Sequence, residues 1–273
     1  MSDSDPGWVR PHSDDEDDWA RWRQSPRQEV DFAVHIHYLQ QWLRGGERVL
    51  EVGAGAGRFT RELADLVDRI IVVDISEDKL HRNRRNAEAI GYAQKVERWC
   101  QCDMVKLSDH IEANAFDAVV CYGGPLSYVF DRRHHAIREL VRAAKPGGLL
   151  LLSAKSLWGT VHEHLPTILR MDPRINREIV ETGNLGPDKV AVTSRFWHAY
   201  HAAEFKSFIE DAGARVQELS ASDCLTSTWK DLLSVWREDD RLWKHVIELE
   251  IQACREPGCL DMGAHILAVA RKA

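Results

Sequence analysis

The chain has 273 residues, a formal charge of −7 and 44% hydrophobic residues, with a sequence pI near 6.0. That is enough apolar chain to bury one large core, and the acidic balance speaks against a broad electrostatic footprint for nucleic acid or an anionic membrane. No apolar run approaches the roughly 18 residues of a membrane span, and the acidic start is unlike a secretory signal, so a soluble cytoplasmic protein is expected.

Residues 1–18 are polar, rich in aspartate and contain Pro6, Gly7 and Pro11, the composition of a mobile arm. Apolar positions Val30, Val34, Leu39 and Leu43 predict a helix over residues 29–43 that closes at Gly45-Gly46. Val49-Leu50-Glu51-Val52 then reads as a strand, residues 53–57 as a glycine turn and residues 61–67 as a helix. Such a turn lets a ligand approach the backbone and leaves the helix N–H groups facing it. Arg58 stands where a dinucleotide G-x-G-x-x-G would place its last glycine, and the Gly-Lys-Ser/Thr of a phosphate loop is absent. A second apolar run, residues 70–73, ends at Asp74, whose carboxylate at a strand tip can accept both hydroxyls of a ribose.

A helix over residues 79–90 leads to a third strand, 96–102, followed by Asp103-Met104. The fourth strand, 116–121, opens into Tyr122-Gly123-Gly124-Pro125-Leu126-Ser127-Tyr128, and a helix over 136–144 leads through Lys145-Pro146-Gly147-Gly148 to the fifth, 149–153. Residues 155–200 are too long for a plain connection and predict an active-site lid. A helix over 203–212 precedes the sixth strand, 215–219; residues 222–262 predict one or two helices ended near Pro257-Gly258, and residues 265–270 the last strand. Six cysteines (Cys100, Cys102, Cys121, Cys224, Cys254, Cys259) lack a paired CxxC frame, which predicts reduced thiols and no metal.

The Glu-x-Gly-x-Gly-x-Gly of residues 51–57, Asp74, Asp103-Met104, Phe116-Asp117 and the Lys-Pro-Gly-Gly of residues 145–148 stand in one order over residues 48–155. Together they resemble class I (Rossmann-like) methyltransferases that use S-adenosylmethionine (AdoMet). The resemblance implies an α/β fold: a doubly wound seven-stranded sheet of order 3-2-1-4-5-7-6, last strand antiparallel, helices on both faces and helical insertions after strands 5 and 6. Residues 1–44 would form the arm and a cap helix over the cofactor, and residues 45–273 the AdoMet-binding domain with its lid and the 222–262 insertion. The matching cofactor positions are Glu51, Gly53, Ala54, Gly55, Gly57, Asp74, Ile75, Asp103, Met104 and Tyr122. By the same resemblance, Asp103 binds the adenine amine and Met104 packs on the ring.

The implied activity is methyl transfer to an oxygen or nitrogen of a small-molecule metabolite, with S-adenosyl-L-homocysteine as product. A hydroxyl or ammonium acceptor needs a general base, whereas a carboxylate or thiolate needs only placement. His198 and His162, flanked by lid aromatics, are the candidate bases; His265, in a strand expected to be buried, is assigned no role. Tyr128, Trp158 and Trp197 are the candidate pocket aromatics. RNA or protein methylation and non-catalytic AdoMet binding are the alternatives. The turn after strand four lacks the Asp/Asn-Pro-Pro-aromatic sequence of amino-methylating nucleic-acid enzymes, so no nucleic-acid or membrane partner is expected. The 222–262 insertion offers either a homodimer surface or a pocket wall.

Overall fold

The computed structural model describes residues 25–189 and 195–273. The arm of residues 1–18 lies outside the described residues. Helix α1 (Pro26–Trp42) starts where the Ser25 side chain accepts the Gln28 N–H and proline occupies the first turn, where its missing N–H costs nothing. The chain then alternates: β1 (Arg48–Val52), α2 (Arg58–Leu66), β2 (Arg69–Asp74), α3 (Glu77–Ile90), β3 (Val96–Gln101) and β4 (Phe116–Cys121). A short α4 (Pro125–Tyr128) and α5 (Arg133–Ala143) lead to β5 (Ala144–Lys155). This strand begins before the expected Leu149, because Ala144 already pairs with Phe116 and the Lys145 ammonium reaches Asp117 at 2.6 Å.

Residues 155–200 fold into α6 (Leu157–Glu163), α7 (Leu165–Ile168), α8 (Pro173–Thr182) and a minimal hairpin of β6 (Asn184–Leu185) with β7 (Trp197–His198). They close on a small core of their own: Leu157, Ile179, Leu185 and Ala199, with Trp197 against it. After α9 (Ala202–Glu210) and β8 (Ala214–Ser222), the second insertion forms α10 (Lys230–Arg237) and α11 (Asp240–Cys254), before the final β9 (His265–Lys272).

The sheet order is β3-β2-β1-β4-β5-β9-β8, with β9 antiparallel to both neighbours, as expected of the sixth and seventh strands. Side chains alternate across the strands, so each central strand feeds both faces. Leu50, Ile71, Val119 and Leu150 face a layer containing Ile137, Leu140 and Phe205; Val49, Val72, Val120 and Leu151 face Leu39, Leu63 and Leu80. No helix among the described residues is long and apolar enough to cross a membrane.

The second insertion is tied down by one carboxylate. Glu250 of α11, with no exposed surface, accepts the N–H groups of Cys224 (2.6 Å), Leu225 (3.0 Å) and Thr226 (2.9 Å), so the loop leaving β8 is held on the helix that follows. Unfolding in urea should show Glu250→Ala less stable by about 3 kcal/mol or more, since several buried donors lose their acceptor at once. A loss below about 1 kcal/mol would show that water or another acceptor replaces it.

Candidate active site

The carboxyl ends of β1, β2 and β4 lie side by side, and the glycine turn, Asp74, Ile75 and Tyr122 gather there. The N–H groups of Gly53 and Ala54 both reach the Val73 carbonyl, at 2.8 and 3.2 Å, which folds the glycine turn back on β2. A Cβ at Gly53 (φ +75°) would stand 2.5 Å from Pro125 Cγ, and one at Gly57 (φ +96°) 2.8 Å from Asn83 Cγ. Only glycine satisfies both the backbone angle and the space at these two positions. Asp74 then clamps the turn: Oδ2 accepts the Gly55 N–H at 2.8 Å and Oδ1 the Ser76 N–H at 2.9 Å. Ile75, beside it, is 41% exposed. A bare backbone turn, a carboxylate at the tip of β2 and an uncovered apolar side chain are what a nucleoside-bearing ligand needs.

Glu51 lies beneath the turn. Its carboxyl accepts the Thr60 hydroxyl at 2.6 Å, Thr60 in turn accepts Asn83 at 2.9 Å, and Trp99 donates to Asn83 at 3.0 Å. Burial pushes the Glu51 carboxyl up to about 8; the Thr60 bond opposes the shift and the nearby Asp74 adds to it. On the third strand's loop, Asp103 accepts the Val105 N–H at 3.2 Å and pairs with the Arg132 guanidinium at 3.0 Å, while Met104 packs into the apolar layer. Tyr122 is buried edge-on against His35 (4.9 Å) and Phe59 (5.4 Å), with no hydrogen-bond partner for its hydroxyl among the described residues.

A cavity of about 490 Å³ adjoins this edge, between α1, the loop after β4 and the ends of β5 and β8. Tyr128 lines it, as expected, with Arg27, Asp31, Lys155, Asp223 and His265, five polar groups to which sequence reasoning gave no role. The other residues singled out for the acceptor lie elsewhere. Trp197 belongs to the small core of the lid, and Trp158 is 39% exposed beside His201. His198 is only 2% exposed, with Nδ1 2.8 Å from Asn184 Oδ1 and Nε2 2.7 Å from Glu204 Oε1. Both ring nitrogens are engaged within the protein, so His198 joins the lid to α9 instead of offering an acceptor a base. His162 is half-buried on α6, next to Glu163, the carboxylate that takes Arg27 at 2.9 Å.

The cavity wall carries paired charges. Arg27 bonds Asp223 as well as Glu163. Burial pushes Asp223 up to about 8, with Arg27 opposing and the Asp31 and Glu250 carboxylates adding. Asp31 accepts the Ser222 hydroxyl, and its two oxygens each stand 3.3 Å from His265 Nδ1. Although burial works against its charge, His265, His35 and Ser222 hold the Asp31 carboxyl well below the ordinary range. Burial, then Lys155, lowers His265 to about 4 against the pull of Asp31.

Two groups among the described residues bring metal-capable atoms within 4.8 Å of one another: Asp31–His35–His265 and Cys224–Glu250–Cys254. In the first, His35 Nδ1 is already 2.8 Å from the Asp31 carbonyl oxygen; in the second, Glu250 is occupied by its three N–H donors. The i, i+4 spacing of Asp31 and His35 was a readable signal. Their meeting with His265, 234 residues from Asp31, was not.

Residues 49–148 match the family model described as a methyltransferase domain. The chain carries an AdoMet-dependent methyltransferase domain. It is 23% identical over 225 residues to the tRNA 5-carboxymethoxyuridine methyltransferase of Escherichia coli K12, covering 82% of this chain and 80% of that one. Over 113 residues it is 32% identical to the ubiquinone/menaquinone biosynthesis C-methyltransferase of Pseudomonas fluorescens, 40% of this chain and 42% of that one. Among solved structures, the S-adenosylmethionine-dependent methyltransferase of Mesorhizobium loti superposes with a TM-score of 0.59 at 20% identity, covering 89% of this chain and all (100%) of that one. The CcbJ methyltransferase of Streptomyces caelestis gives 0.58 at 16% identity, covering 89% and 96%. The two structures show the fold that the methyltransferase shares.

The Glu51 shift has a pH consequence. A carboxyl raised from 4.5 to about 8 on folding contributes stability that is full below pH 4.5 and lost as pH rises through 8. Thermal unfolding of the AdoMet-free methyltransferase should therefore show a loss of stability between these limits that Glu51→Gln lacks, with the variant ahead of the parent at pH 9. Parallel curves for the two proteins would mean that Glu51 ionises normally.

Proposed function

We propose that the methyltransferase acts on an oxygen or nitrogen of a small-molecule metabolite and releases S-adenosyl-L-homocysteine. The observation that carries this reading is the cavity of about 490 Å³ at the loop after β4, within the ~300–1,000 Å³ usual for small-molecule sites. AdoMet supplies a methyl group already activated on a sulfonium, so the protein's contribution is placement and exclusion of water. In this reading the backbone of residues 53–57, with Glu51 beneath, receives the methionine end, and Asp74 accepts the ribose hydroxyls while it clamps the turn. Ile75 and Met104 pack on the adenine, Asp103 accepts its amine beside the Arg132 contact, and Tyr122 backs the sulfonium side. Tyr128 and the charged wall contributed by α1 and β5 face the acceptor.

A tRNA acceptor is the second reading, favoured by the likeness to a tRNA methyltransferase over 82% of the chain. The formal charge of −7 and the paired carboxylates of the cavity wall weigh against it, because phosphate backbones are held by unpaired basic groups.

Two experiments test the assignment. Incubation with [methyl-³H]AdoMet and, separately, the small-molecule fraction of a cell extract or total tRNA should label the first and leave the second blank; label in the tRNA replaces this reading with the other. Titration calorimetry should show Asp74→Ala binding AdoMet about 30- to 150-fold more weakly, the ~2–3 kcal/mol of hydrogen bonds to a charged acceptor. Unchanged affinity would remove Asp74 from the cofactor site.

A further inference from the structure

We propose that Cys224 and Cys254 form an oxidisable dithiol, which a peroxide converts to a disulfide that fastens the loop after β8 to the end of α11. The proposal does not depend on which acceptor the methyltransferase uses. Cys224 lies just beyond β8, and Cys254 is the last residue of α11. Both are free thiols, and one carboxylate oxygen brings them together: Glu250 Oε1 accepts the Cys224 N–H at 2.6 Å and the Cys254 S–H at 3.1 Å. The two sulfurs then stand 3.4 Å apart, so side-chain rotations that close about 1.4 Å bring them to the ~2.05 Å of a disulfide.

The same hydrogen bonds set the direction of the chemistry. Because the Cys254 proton is aimed at Glu250, the contact between the sulfurs is made by the Cys224 S–H, and a lone pair of Cys254 faces Cys224. Cys259, in the turn after α11, also bonds Cys224, but with the Cys224 proton spent on Cys254 it can only donate, presenting a hydrogen where Cys254 presents a lone pair. Cys224 is half-buried and Cys254 has no exposed surface, so an oxidant arriving from solvent meets Cys224 first. The bond with Cys224, burial and the Glu250 carboxylate hold the Cys254 thiol well above its usual range, which keeps it from reacting on its own.

In the first step the Cys224 thiolate attacks one oxygen of the peroxide, the O–O bond breaks, and the leaving hydroxide takes up the thiol's proton as water, with a sulfenic acid left on Cys224. The Cys254 sulfur then attacks the sulfenic sulfur. The S–O bond breaks, and the Cys254 proton passes by way of Glu250 to the departing hydroxide, giving a second water. The two thiols lose two electrons and the peroxide gains them. A metal at Cys224–Glu250–Cys254 would need the same atoms, but Glu250 already holds three N–H groups, and the two sulfurs alone do not close a tetrahedral set. Asp223, which precedes Cys224, lines the cavity and bonds Arg27, so the disulfide would tether the cavity wall through its neighbour.

The test uses the full chain, reduced with dithiothreitol and then freed of it. Hydrogen peroxide should remove two of the six titratable thiols and lower the intact mass by about 2 Da. Proteolysis without reductant should then give peptides joined through Cys224 and Cys254, which dithiothreitol separates. Cys254→Ser should leave Cys224 as a sulfenic acid that dimedone labels, and Cys224→Ser should leave Cys254 reduced. The measurements on the wild-type chain stand without either variant. Six thiols surviving the peroxide, a sulfinic acid at Cys224 in place of the bond, a bond from Cys224 to Cys259, or a bound metal ion whose removal frees Cys224 and Cys254 overturns the proposal.

Discussion

The parallel pairing of β1 between β2 and β4 is the constraint on which the rest of this molecule depends. Leu50 aligns with Ile71 on one side and Val119 on the other, so the three strands end together and their loops emerge at one edge. Right-handed crossovers put the helices on the two faces and leave that edge open. The glycine turn, Asp74 and Tyr122 are neighbours only because of this shared register. A turn made of glycines has much backbone freedom to lose, and the Gly55 N–H bond to Asp74, with the Gly53 and Ala54 N–H bonds to the Val73 carbonyl, removes it.

A second level of organisation is built onto that edge by parts of the chain that the minimal fold does not require. Helix α1 carries Arg27, Glu29 and Asp31, which reach Asp223, Arg237 and Ser222 respectively, so the start of the described chain is fastened to the loop after β8 and to α10. That loop is in turn held by Glu250 of α11. The cavity beside α1 is thus walled by side chains far apart in the chain. Most of these partners are buried or half-buried, where a broken pair leaves a group without solvent to replace it, so the wall is more rigid than its polarity suggests.

The strand-end edge proposed for the cofactor was legible because its sequence features are local. Glycines at residues 53, 55 and 57, an acid at the tip of each of two strands and Lys-Pro-Gly-Gly at residues 145–148 are short-range features that backbone geometry imposes at fixed positions. The acceptor half was not. His198 read as a candidate base from its aromatic neighbours in sequence, yet Asn184, fourteen residues away, and Glu204 take both its nitrogens. His265 read as a buried strand residue, which it is at 4% exposure, but burial against Asp31 gives it a different chemical character from burial among leucines.

The sequence by itself determined the succession of strands and helices, because apolar periodicity and turn chemistry act over a few neighbouring positions, and its resemblance to class I methyltransferases supplied the strand order. The tertiary structure alone decided which polar side chains line the cavity. Asp31 and Ser222 are 191 residues apart, Arg27 and Asp223 196, and Asp31 and His265 234, and no periodicity connects residues at such separations. Their meeting follows from packing α1 across the ends of β8 and β9, a consequence of burying the apolar face of Val30, Val34 and Leu39.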